Sequence, residues 1–86
     1  MRKKKKMELE LVNPSAAGID VGSRSHYVAV GQGSNDVREF GVYAEDHLAL
    51  IEWLTENEVT TVAMESTGTY WQNLFTALQS AGFDVL

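Results

Sequence analysis

Two short apolar runs, each closing on an acid, constrain this chain more than any other feature. Ala16-Ala17-Gly18-Ile19-Asp20-Val21-Gly22 carries the first acid, and Thr61-Val62-Ala63-Met64-Glu65-Ser66-Thr67-Gly68 carries the second. Both runs read as strands. A carboxylate at such a place is costly to desolvate unless it is paired or holds a metal ion. Two strands bearing the same cost point to one shared site. A divalent cation between Asp20 and Glu65 is the simplest partner.

The rest of the chain supplies the elements around these strands. Residues 16–21 form the first strand, and Gly22-Ser23-Arg24-Ser25 reads as a tight turn. Residues 26–31 form a second strand on β-branched and aromatic content. The segment 31–36 has hairpin-loop chemistry. A third strand spans about 37–43, with Phe40 and Val42 on one face and Glu39 on the other. Leu48, Leu50, Ile51, Trp53 and Leu54 have helical periodicity, which predicts a helix over about 45–57 with Glu45 and Asp46 in its first turn and Asn57 as its stop. The fourth strand, Thr60 to Met64, is apolar enough to be covered on both faces. A second helix is expected over about 67–81, capped by Ser66 or Thr67. Tyr70, Leu74 and Leu78 repeat along it every four residues, and Gly82 follows its end. Phe83 to Leu86 begins a fifth strand. This order predicts an α/β fold with a mixed sheet in the order 3-2-1-4-5, strands 1, 4 and 5 parallel, and the helices packed on it.

The 86 residues fit one small domain or part of a larger one. Residues 1–14 read as a basic, flexible leader, and residues 15–86 as the ordered unit. An ending inside an apolar strand reads as the front of a longer protein. The chain has no cysteine, which excludes disulfides and thiolate metal sites. His26 and His47 do not form a ligand pair by spacing and read as ordinary surface or strand residues. No apolar run approaches the roughly 20 residues of a membrane span, and no signal peptide is evident, so a cytoplasmic location is expected. The net charge of −5 hides an asymmetry. Apart from the five cations Arg2 to Lys6, two arginines stand against twelve acids, a balance of −10. The body is therefore no nucleic-acid surface by bulk charge, although the leader can contact phosphates without reading sequence.

In parallel α/β sheets the functional crevice lies at the carboxyl ends of the strands, where Asp20 and Glu65 both sit. Neighbouring strands lie about 4.8 Å apart, so both side chains can reach one Mg²⁺ at about 2.1 Å. Two acids suffice for one such ion. Two-metal phosphodiester chemistry, with ions about 3.5–4 Å apart, needs more acids than these. Ser23, Arg24 and Ser25 read first as polar turn residues, with hydroxyl, guanidinium and N–H groups suited to phosphate. Tyr70, Trp71 and Phe75 read as a core cluster, with Tyr70 also a candidate contact to nucleic acid.

Gly18-Ile19-Asp20-Val21, followed by Ser23-Arg24 and Val28-Ala29-Val30, resembles the first acidic strand and hairpin of the DEDD transposases of bacterial insertion sequences, the group related to the Piv invertases. Glu65-Ser66-Thr67-Gly68-Thr69-Tyr70, with Leu74, Leu78, Gly82-Phe83 and Val85, resembles their second acidic motif. Arg24 stands where lysine is common in that family. The resemblance covers about residues 16–86. It implies a ribonuclease H-like (RuvC-like) fold and a four-acid site for Mg²⁺ or Mn²⁺, of which Asp20 and Glu65 are the first two. It also implies DNA as a partner, with a structured guide RNA and self-association as further expectations. The third and fourth acids and a serine-bearing domain are not in these 86 residues, so the chain alone is expected to be inactive. Two other readings stay open at this point. Asp20 with Gly22-Ser23 also resembles the phosphate loop of the actin, Hsp70 and sugar-kinase ATPases, where it would position Mg²⁺-ATP. A non-catalytic assembly module, pairing through an exposed sheet edge, is the third.

Overall fold

The computed structural model describes residues 15–31, 37–66, 68 and 70–86. The leader 1–14, most of the hairpin loop after Gly31, and the candidate cap Thr67 lie outside the described residues.

Five strands form one sheet: β1 (Ala16–Val21), β2 (His26–Val30), β3 (Val37–Phe40), β4 (Thr61–Ser66) and β5 (Asp84–Val85). Their order is β3-β2-β1-β4-β5. β1 runs antiparallel to β2 and parallel to β4, and β5 is parallel to β4. This is the predicted ribonuclease H-like mixed sheet. Helix α1 (Ala44–Glu56) connects β3 to β4, and helix α2 (Gln72–Ser80) connects β4 to β5.

Strand alternation decides what each face carries. Ala17, Ile19 and Val21 of β1, Val28 and Val30 of β2, Phe40, and Val62 join one buried cluster with Leu50 and Leu54 of α1 and Leu74 and Leu78 of α2. Both helices therefore cover the same face. The opposite face, made of Gly18, Asp20, Tyr27, Ala29, Glu39, Thr61, Ala63 and Glu65, carries no helix among the described residues. The expectation that the fourth strand is covered on both faces is corrected accordingly. Ala63 is half-buried and Glu65 is exposed.

The helices differ from their predicted extents for local reasons. The buried residues of α1 are His47, Leu50 and Leu54, while Leu48 is 68% exposed. Leu48 follows His47 by about 100° around the helix, which turns it away from the sheet. α2 begins five residues later than expected, with Trp71 rather than Ser66 or Thr67 at its N-cap. The Ser66 hydroxyl instead accepts a hydrogen bond from the Gly68 N–H (3.3 Å), a local serine turn that competes with helix initiation. Tyr70 consequently precedes the helix and is 55% exposed, and Trp71 meets Phe75 edge-on with ring centroids 5.6 Å apart. β3 stops at Phe40, so Val42 lies in the bend before α1.

Both helices end in the same Schellman pattern. After α1, Val59 N–H donates to the Leu54 carbonyl (3.0 Å) and Glu58 N–H to the Thr55 carbonyl (3.0 Å). After α2, Phe83 N–H donates to the Leu78 carbonyl (3.1 Å) and Gly82 N–H to the Gln79 carbonyl (3.0 Å). Gly82 takes the left-handed position at φ 98°, whereas α1 puts Glu58 there at φ 59°. In both, an apolar residue just past the cap packs back onto the core, as Val59 and Phe83 do.

Candidate functional site

The parallel pairing of β1 with β4 sets Asp20 directly opposite Glu65. Residues paired in this way lie on the same face, about 4.8 Å apart along the backbone. The two acids thus share the face that carries no helix among the described residues, at the carboxyl ends of two adjacent parallel strands. Asp20 is half-buried and Glu65 exposed. The same row continues outward, since Asp20 pairs with Tyr27 and Tyr27 with Glu39. Tyr27 was not singled out by the sequence reading. It is 48% exposed and separates Glu39 from the acid pair by one strand. Among the described residues no group of three or more His, Cys, Asp or Glu side chains is placed to hold a metal ion. The intervening tyrosine explains why Glu39 adds no third ligand. Two carboxylates in register suit one magnesium-like ion, which is commonly held by one or two carboxylates together with substrate phosphate.

The turn after Asp20 brings further candidates to the same end of the sheet. Gly22 approaches the Ser25 carbonyl so closely that a Cβ there would lie 2.6 Å from its oxygen, so only glycine makes this turn without shifting the backbone. Ser23 and Arg24 are exposed on it. Ser23 and Tyr70 line one cleft of about 270 Å³, together with Gly22, His26, Val42, His47, Gln72 and Asn73. Two of the three candidate nucleic-acid contacts therefore meet across one opening, and Arg24 is not among its lining residues.

The histidines are not surface residues, although His26 does lie in a strand. His26 is 1% exposed and His47 is 7% exposed. Their Nε2 atoms lie 3.4 Å apart, and the Gly22 N–H reaches His26 Nδ1 at 3.3 Å. His26 faces the helices because it pairs with Val21 on the covered side. His47 belongs to the buried stripe of α1. Burial lowers the pKa of both below 6.5, and for His26 the neighbouring His47 lowers it further, while the Asp46 carboxylate works against the shift in both. Spacing along the chain could not reveal this pair. Its members are 21 residues apart and sit on different kinds of element.

The profile of the IS110-type DEDD transposases, a family described as Transposase, matches residues 17–86, well over half of the chain. A comparison with curated proteins returned no match. The match runs through both acid-bearing strands and α2. No helix among the described residues is long and apolar enough to cross a membrane.

Proposed function

The chain belongs to the DEDD transposase family of the IS110 type, and from that premise we propose that it contributes Asp20 and Glu65 to a divalent-metal site for DNA strand cleavage and exchange. The observation that carries this reading is the register of Asp20 with Glu65 on the helix-free face. Mg²⁺ or Mn²⁺ suits the all-oxygen donor pair. Such an ion, when bound, supplies Lewis-acid stabilisation of charge on a phosphodiester. The residues of the chain do the rest. Asp20 and Glu65 would hold the cation at the carboxyl ends of β1 and β4. Ser23 and Arg24 offer hydroxyl, N–H and guanidinium groups to the DNA backbone. Tyr70 offers an exposed ring against a sugar or base at the mouth of the cleft. The basic run Arg2 to Lys6 adds salt-sensitive, sequence-independent attraction. Completion of the acid set, a structured guide RNA and self-association belong to the same proposal, and the ATPase and assembly readings rank behind it because the family match runs through the Glu65 strand and the motif after it.

The test is thermal unfolding of the wild type, Asp20→Asn and Glu65→Gln with and without Mn²⁺. A carboxamide keeps the shape of the acid and removes its charge. The wild type should gain a few degrees in saturating Mn²⁺ by mass action, and each variant should lose most of that gain. An equal gain in all three would place the ion elsewhere and remove the shared site.

A further inference from the structure

The hydrogen bonds of the two histidines have a direction. An amide nitrogen only donates, so the Gly22 N–H makes His26 Nδ1 an acceptor. A neutral imidazole has one N–H, which must then sit on His26 Nε2. That atom faces His47 Nε2 at 3.4 Å, so His47 accepts there and carries its own proton on Nδ1. The result is a one-way chain from the Gly22 amide through His26 to His47, buried between β2 and α1. Both links need neutral rings. A protonated His26 has no lone pair for the Gly22 amide, and a protonated His47 has none for His26.

We infer that His26 and His47 act as one positioning unit, which clamps the Gly22–Ser25 turn to helix α1 and so sets Ser23 at the mouth of the cleft. Neither ring is a catalytic residue. They act through the turn that follows Asp20, and the importance of that turn for nucleic acid rests on the function proposed above. The turn has no regular strand or helix structure to hold it, and Gly22 offers no side chain. Of the groups around the pair, Asp46 of α1 is the carboxylate that favours the charged rings, and Tyr70 is the titratable group across the cleft. Val21 and Phe40, which pair with His26 or adjoin it in the sheet register, and Val42 in the cleft wall contribute no charge.

The clamp can be tested without metal or nucleic acid, so its failure is separable from failure of the metal site. Long-range proton–nitrogen NMR of the chain near neutral pH should show the Nε2–H form of His26 and the Nδ1–H form of His47. As pH falls from about 7.5 towards about 5, across the ordinary histidine range, the Gly22 and Ser23 amides should move in the same transition as the two rings. That transition should lie below 6.5, the usual value. His47→Gln keeps a side-chain oxygen able to accept from His26, and should leave Gly22 amide exchange within about twofold of wild type. His47→Leu removes the acceptor and should speed it by about tenfold or more. An Nδ1–H form of His26, Gly22 and Ser23 amides indifferent to the ring titration, or equal exchange in the two variants would each overturn the clamp. If His47→Leu does not fold, the tautomers and the titration of the wild type decide the matter alone. Broadening of Asp20 and Glu65 by Mn²⁺, measured on the same sample, reports on the metal site independently.

Discussion

Two pairs of side chains sit at the same end of the sheet and were assembled by different means. Asp20 and Glu65 come from strands that are neighbours in the ladder, and their pairing follows from strand register alone. His26 and His47 come from a strand and a helix, and meet only because α1 packs its His47, Leu50, Leu54 stripe against the covered face. One pair lies on the face that carries no helix among the described residues, with Asp20 half-buried and Glu65 exposed. The other is buried under α1 at the floor of the cleft, where its ring nitrogens pair with the Gly22 amide and with each other. The difference teaches that position along a strand locates chemistry on the sheet surface, while chemistry between the sheet and its helices depends on which helix face arrives.

The largest effect that would sharpen this comparison is on strand exchange. In a protein carrying the full acid set, Asp20→Asn or Glu65→Gln should each lower strand exchange by about a thousandfold or more, equivalent to the several kcal/mol a bound cation contributes. Circular dichroism should remain that of the wild type. Exchange at the wild-type rate in Asp20→Asn would falsify the acid pair as the reactive one.

The two faces themselves offer the next contrast. Ile19 and Asp20 are adjacent in sequence and point to opposite faces, and Ile19 is fully buried. Ile19→Ala should cost about 2–5 kcal/mol in urea unfolding, the usual toll of a core cavity. Tyr27→Ala on the helix-free face should cost about 1 kcal/mol or less. Equal costs would mean that the second face is also a packed core.

The buried histidine pair predicts a pH dependence of stability. Burial holds both folded-state pKa values below the unfolded value of 6.5. The unfolded chain therefore takes up protons first as pH falls. The stability contributed by the neutral pair is fully present above about pH 6.5 and is lost as pH drops through the folded-state values. Urea midpoints measured down to about pH 5 should fall for the wild type and fall less for His47→Gln, which has one fewer proton to gain. A flat profile for the wild type would show that the rings stay solvated.

The smallest expected effect is a control remote from both pairs. Glu58 holds the left-handed position that Gly82 holds after the other helix. Glu58→Gly relieves that conformation and should raise stability by about 0.5–1 kcal/mol, leaving both the Mn²⁺ response and the histidine titration unchanged. Movement of either would show that the two pairs are coupled to global stability rather than to their own sites.

Much of this molecule was determined by sequence because it depends on local rules. Alternation, turn residues and helical periodicity set the strand order, the Gly22 turn and the cap at Gly82. The acid pair was legible because Asp20 and Glu65 occupy equivalent places on two strands that the chain order makes neighbours. The start of α2 was not legible, since the Ser66 hydroxyl could serve either a helix cap or the turn it forms with Gly68. Which face the helices cover, and hence the exposure of Tyr27 and Leu48, was decided by tertiary packing. So was the histidine pair, which no spacing encodes. An imidazole is amphipathic enough to sit in water or in a core, and its choice depends on whether a partner arrives within hydrogen-bond reach. Here α1 brings that partner, 21 residues away along the chain, to 3.4 Å.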